Sequence, residues 1–193
     1  VGVISSEHSP IVYWADFVLH GTAAGLLALA LARDTVPHSS LAGAAVAASG
    51  WALWTLLEYS LHRFVLHGLS PFKQWHAQHH ARPAALIARP TLLSACLLYA
   101  LVFLPAWMWL PHWAAEALSL GVVSGYLAYG LVHHATHHGR MPGRCLHRQK
   151  RRHALHHRRN GAHFYGVTTS FWDLRFGSVP AGRRRTHAAL APR

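Results

Sequence analysis

Residues 91–110 read TLLSACLLYALVFLPAWMWL, twenty positions without a single Asp, Glu, Lys or Arg. That length matches the ~20 residues a helix needs to cross a hydrocarbon core, whereas a buried helix of a soluble bundle usually keeps a polar stripe. Outward from this stretch, three more apolar runs of similar length fall at 11–32, 41–66 and 113–133. The chain is therefore expected to be all-α, an integral membrane bundle of four transmembrane helices near 11–32, 41–66, 91–110 and 113–133. Composition agrees, since 52% hydrophobic residues against 12% charged ones is an unusual balance for a soluble domain. The 193 residues suit one membrane-embedded domain, 1–193. The opening VGVISSEHSP lacks a positive n-region and a small-residue cleavage site, so the first apolar run is expected to be retained.

Basic residues give the bundle two unlike ends. If both termini are cytoplasmic, Arg33 is the one basic residue in the two outward loops, and the other 17 of the 18 Lys and Arg lie on the inner side. Flanking Lys and Arg are retained in the cytoplasm, so this asymmetry sets the orientation. The turn LPHW, 110–113, is short enough to make the third and fourth spans an antiparallel hairpin, with Trp107, Trp109 and Trp113 in the interfacial belt. Segments 67–90 and 134–193 then form a cytosolic cap. A formal charge of +12 suits anionic phospholipid headgroups, which account for QKRRHALHHRR without a nucleic-acid partner. The abundance of Ala, and of Arg over Lys, points to a bacterial source and hence to a bacterial cytoplasmic membrane. Cys96 and Cys145 are too few for a disulfide framework or a Cys-based zinc site.

Nineteen histidines are far above ordinary usage, and fourteen fall in two windows, His62 to His80 and His133 to His163. The second span ends in EYSLHRFVLHG, with His62 and His67; the fourth ends in YGLVHHATHHG, with His133, His134, His137 and His138. Beyond each stands an HxxHH motif, His76, His79 and His80 in one and His153, His156 and His157 in the other. On a helix, positions i, i+3 and i+4 share a face, so each triplet can converge on a cation. The i, i+4 pairs His133/His137 and His134/His138 point about 100° apart, so only one pair can face the same centre. His8, His20, His38, His112 and His187 stand alone and read as core or surface residues. Ten ligands exceed the four to six donors that one first-row ion takes, so the set suggests two metals. All-imidazole donors suit zinc or copper as well as iron.

In order, HRFVLH, HAQHH, HHATH and HALHH, with EYSLHRFVLHG before the first box, ARPAALIARPT after the second and FYGVTTSFWDLRFGS after the last, resemble the fatty acid hydroxylase and sterol desaturase superfamily. The match extends over about 60 to 180 and is nearest to the fatty acid 2-hydroxylase-like branch and its bacterial relatives. The resemblance implies a dinuclear non-haem iron site in the histidine-rich helical cap, with zinc as a substitute metal and O2 as co-substrate. Its implied ligands are His62, His67, His76, His79, His80, His133, His137, His153, His156 and His157, which selects His133 and His137 over their neighbours. His134, His138 and His163 become supporting or surface candidates, and Asp173 a structural hydrogen-bonding residue. The implied activity is hydroxylation of an unactivated C–H bond in a lipid or fatty-acyl substrate, with desaturation as the alternative outcome. Reductant is expected from a separate electron-transfer protein. Arg82, Arg89, Arg151 and Arg152 read first as inner-leaflet anchors and secondly as candidates for attracting an anionic substrate headgroup. Gly130 stands where the branch often carries an acid, and the segment after HAQHH lacks its usual aspartate, so the substrate groove is expected to differ. A non-catalytic metal transporter would place its ligands near the bilayer midplane rather than at span ends.

Overall fold

Ser9 starts the first helix, α1 (Pro10–Arg33). Its side chain accepts from the Val12 N–H at 3.4 Å, and Pro10 sits in the first turn, where a missing N–H costs nothing. The computed structural model describes residues 9–34, 40–87, 91–139, 143–158 and 161–180. After α1 come α2 (Ser40–Ser60), which runs directly into a π-helical turn at Leu61–Leu66, and α3 (Phe72–Ala81). The third span is composite: α4 (Thr91–Leu98), a π segment at Tyr99–Phe103 and α5 (Leu104–Trp109). The long α6 (His112–His138), α7 (Arg144–Arg158) and the short α8 (Phe171–Arg175) complete the described elements. Among the described residues, four helical stretches are long and apolar enough to cross a membrane: Pro10–Arg33, Ser40–Leu66, Thr91–Trp109 and His112–His138.

Pro105 accounts for the irregular third span. It has no N–H for the carbonyl four residues back, and its ring would collide with that carbonyl. Widening the preceding turn, so that the Leu104 N–H reaches the Tyr99 carbonyl, relieves the conflict without ending the helix. At the other end of the hairpin, α6 continues past the expected boundary at 133 to His138, because nothing in HHATHH breaks a helix before Gly139. HHATHH thus forms the last turns of α6.

Interior position falls to α6, which packs on α2 and α1, while Val18, Leu26, Leu92, Leu101 and Met108 face outward as lipid-facing residues do. Small residues let α2 and α6 cross closely: a Cβ on Gly50 would stand 2.2 Å from the Leu118 carbonyl oxygen, and one on Gly121 2.0 Å from that of Ala47. Trp54, Val122 and Tyr126 form the packed centre, flanked by Leu98, Val102 and Tyr129. One polar tie joins three spans: the Tyr126 hydroxyl donates to the Asp16 carboxylate, 2.9 Å from each oxygen, and lies 3.2 Å from Ser94 Oγ. A buried polar group inside an apolar bundle is costly unless partnered, and here Asp16 is partnered by α6. His20 is buried on the same face, its Nδ1–H donating to the Asp16 carbonyl at 2.8 Å, and His112 stacks on Trp107 at 4.0 Å. His8, His38, His187 and Arg89 lie outside the described residues.

Candidate metal centre

The first two candidate ligands owe their meeting to the π turn. On an unbroken α-helix, positions five apart point about 140° from each other. The wider i to i+5 turn at Leu61–Leu66 stacks them instead, and the His62 and His67 rings lie 5.2 Å apart. His133 and His137 need no such device, since an i, i+4 pair on α6 already shares a face, and their rings are 4.8 Å apart. α3 carries His76, His79 and His80, and α7 carries His153, His156 and His157, so the two HxxHH helices cover the open end of the bundle.

The ten rings sort into two groups. His62, His67, His76, His80 and His156 offer ligand atoms within 4.8 Å of one another, as do His79, His133, His137 and His153. His157 sits at the seam, its Nε2 3.1 Å from that of His153 and its ring stacked on His80 at 4.2 Å. Each HxxHH triplet is therefore divided: His76, His80 and His156 turn to the first group, His79 and His153 to the second. In the first group Nε2 to Nε2 separations of 3.1 Å link His62 with His76, His76 with His80 and His67 with His156. In the second they are 3.1 Å for His79 with His133 and 2.9 Å for His137 with His153.

Those separations test the fit of metal ions. Metal–imidazole bonds of ~2.1 Å at right angles put adjacent nitrogens ~3 Å apart, the spacing observed here. Tautomers support the same reading. His62 Nδ1 is 2.6 Å from the Tyr165 carbonyl oxygen and His156 Nδ1 2.7 Å from that of His163; a carbonyl only accepts, so both Nδ1 atoms carry hydrogen. The Nε2 atoms of these neutral rings then present lone pairs inward, and a cation is what satisfies several lone pairs converging on one point. Burial, with neighbouring imidazoles second, holds His79 down to about 3 and His157 to about 2. Burial holds His156 down to about 3 against the opposing pull of the His163 carbonyl, and burial, His80 and Lys73 hold His67 at about 4. His76, His80 and His153 shift in the same direction for the same first cause. All seven of these shifts favour the neutral ring, the form that ligates.

Segment 161–178 backs the centre and is tied down by two carboxylates. Asp173 Oδ1 accepts from the Tyr165 N–H at 2.8 Å and the Ser178 hydroxyl at 2.6 Å, and Oδ2 from the Gly166 N–H at 3.0 Å. Glu58, on α2, accepts from the Val167 N–H at 2.6 Å, the Thr168 N–H at 3.0 Å and the Thr168 hydroxyl. Gly161 closes against the His67 ring; a Cβ there would lie 2.1 Å from Cε1. α8 rests on α2, with the Trp172 indole N–H donating to Thr55 Oγ1 at 3.0 Å. None of these supports was read from the sequence except the structural part of Asp173. The FYGVTTSFWD stretch showed that the segment matters, but backbone carbonyls carry no letter.

The remaining candidates are placed differently. His134 turns away from both groups to the Tyr13 hydroxyl, 3.0 Å from Nδ1, and His138 stacks on its ring. His163 contributes its carbonyl rather than its ring. Arg152 does not present itself to a headgroup: it is buried, with its guanidinium 5.9 Å from the centre of the Phe164 ring. Its position on the inward side of α7, beside His153 and His156, enforces that burial.

A cavity of about 410 Å³ runs from the histidines into the bundle. His62, His76, His79 and His133 line it at the cap end; Tyr13, Asp16 and Phe17 of α1, Trp54 of α2, Leu93 and Leu97 of α4 and Tyr126 of α6 continue its wall.

The family model for fatty acid hydroxylase matches residues 47–178. The chain is 34% identical over 147 residues to ceramide very long chain fatty acid hydroxylase scs7 of Schizosaccharomyces pombe, covering 67% of this chain and 40% of that one. It is 33% identical over 150 residues to dihydroceramide fatty acyl 2-hydroxylase FAH2 of Arabidopsis thaliana, covering 70% and 60%. Against fatty acid 2-hydroxylase of Rattus norvegicus the identity is 32% over 157 residues, covering 75% and 41%. The chain thus spans 40 to 60% of the length of these curated relatives. A solved structure described as full-length scs7p, with only the hydroxylase domain visible, superposes with a TM-score of 0.75 at 26% identity, covering 91% of this chain and 68% of that one. With the histidine boxes inside the matched region and the helical bundle shared, the chain belongs to the fatty acid hydroxylase family within the fatty acid hydroxylase and sterol desaturase superfamily.

Proposed function

We propose that the chain is an O2-dependent lipid hydroxylase of the 2-hydroxylase-like branch, in which His62, His67, His76, His79, His80, His133, His137, His153, His156 and His157 hold two iron ions. The observation that carries this reading is the cavity: a mostly apolar space inside the bundle has four of the candidate ligands in its wall, which suits an acyl chain brought up to the metals. The names of the relatives, which specify ceramide and fatty-acyl hydroxylation, support the same substrate class. When bound by these residues, iron would supply oxygen-activation chemistry at an unactivated carbon, with electrons from a separate electron-transfer protein.

The chain's own residues do the positioning. Trp54, Leu93, Leu97 and Phe17 hold an acyl chain by apolar contact and exclude water along its length. Tyr165 and His163 fix the tautomers of His62 and His156 through their carbonyls. With the cages at span ends, both termini and the cap face the cytoplasm of a bacterial cell, where the basic cap residues meet anionic phospholipid.

Comparative lipid mass spectrometry of cells with and without the protein tests the reading. A lipid that gains one oxygen is expected, and His156→Ala should lower it at least about a hundredfold while the protein still inserts in the membrane. A lipid that loses two hydrogens would instead assign desaturation. Unchanged lipids with altered metal uptake would point to transport and overturn the proposal.

A further inference from the structure

The two histidine groups are backed differently. In the first, the Nδ1–H of His62 and of His156 each donate to a carbonyl, at 2.6 and 2.7 Å. In the second, Nδ1 of His79 and of His153 are buried with no hydrogen-bond partner among the described residues, and the same holds for His157 at the seam. Both carbonyls of the first group belong to segment 161–178, which is folded around Asp173. Its carboxylate, fully buried, accepts from Tyr165, Gly166 and Ser178, while the Phe164 N–H donates to the Ser178 carbonyl at 3.1 Å. Phe164 has a φ of 60°, and Gly161, at 71°, donates its N–H to the His156 carbonyl at 3.0 Å. The chain is bent at both points so that the His163 and Tyr165 carbonyls reach successive rings.

A carbonyl on Nδ1–H draws hydrogen toward itself and makes Nε2 a stronger donor; such outer partners are typically worth 10- to 100-fold in metal affinity. The first group also offers five imidazoles within reach of one another, against four in the second. We propose that the two metal positions are inequivalent: the group of His62, His67, His76, His80 and His156 is the tighter site and fills first, and Asp173 is the positioning residue that sets the difference. The inference rests on the reading that the cages hold metal, and it adds an order of loading and a residue that controls it.

The test is titration of the purified, chelator-stripped protein in detergent with cobalt(II), followed by its visible absorption. Two steps are expected, the first tighter by about tenfold or more. His76→Ala should remove the tight step and leave the weak one; His137→Ala should do the reverse. Asp173→Asn should weaken the first step about 10- to 100-fold and leave the second in place. Ser178→Ala, a smaller loss from the same carboxylate, should move the first step in the same direction should Asp173→Asn fail to fold. Equal affinities in the unaltered protein, the opposite assignment of steps, or a parallel shift of both steps in the Asp173 and Ser178 variants would overturn the proposal. Two ordered steps without any oxygenated lipid would sink the oxygenase reading and leave this one standing. Oxygenated lipid from a protein with a single step would do the opposite.

Discussion

Gly161 shows how closely single positions govern the centre. Its φ of 71° disfavours any side chain, and an added Cβ would overlap the His67 ring at 2.1 Å. Gly161→Ala should displace His67 and lower the bound metal of the first group by about tenfold, measured by metal analysis of the purified protein against the unaltered one. The low proton affinities of the cap histidines give a second prediction at this scale. Above about pH 6.5 these rings are neutral both folded and unfolded, so they contribute no pH dependence. Between there and the folded values of about 4 for His67 and about 3 for His79 and His156, the unfolded chain binds protons that the folded chain refuses. Stability of metal-free protein therefore falls as pH falls through that window. A melting temperature of chelator-treated protein that is level at neutral pH and declines below about 6.5 is the expected result. The two HxxHH triplets and the i, i+4 pairs on α6 were legible as convergent because their spacing repeats helical geometry, and the resemblance singled out His133 and His137 and added His62 and His67; nine of these ten rings fall in the two groups that the structure brings together. The carbonyls of His163 and Tyr165 were not legible, since any residue type can offer one.

Two π turns are the features of local structure that periodicity does not display. The HRFVLH box looks ill-spaced for a helix, and only the wide turn at Leu61–Leu66 makes it work. In effect a five-residue interval on π geometry does what the four-residue interval His133–His137 does on α geometry. It follows that deleting the exposed Phe64, which shortens the box to a four-residue interval on a regular helix, should preserve metal binding by the first group to within a few-fold. Inserting an Ala at the same place should abolish it; metal content per chain distinguishes the two. The α2–α6 crossing is similarly strict. A side chain at position 121 meets the Ala47 carbonyl oxygen at 2.0 Å, so Gly121→Val should destabilise the bundle by about 3 kcal/mol or more, read as a lower melting temperature in detergent. Both glycines stood in the sequence without a partner to explain them, because close approach is a relation between two spans.

At the scale of the molecule, the four long apolar helices and the gathering of histidines into clusters able to hold metal were readable from apolar run length and histidine position. Hidden from that reading were the return of segment 161–178 to α2 and the cavity, which arise only when distant segments meet. Leu97 lines the cavity beyond the histidines, and Leu97→Trp should narrow it. The products are expected to shift toward shorter acyl chains, visible in the same lipid profiles; an unshifted distribution would remove the cavity from substrate binding. The first helix has a further consequence. It lies outside residues 47–178, gives Tyr13, Asp16 and Phe17 to the cavity wall and places no ring in either cage. The opening helix thus borders the cavity without entering either histidine group, so drift along it can remould one wall of that space while the ligand-bearing helices stay as they are.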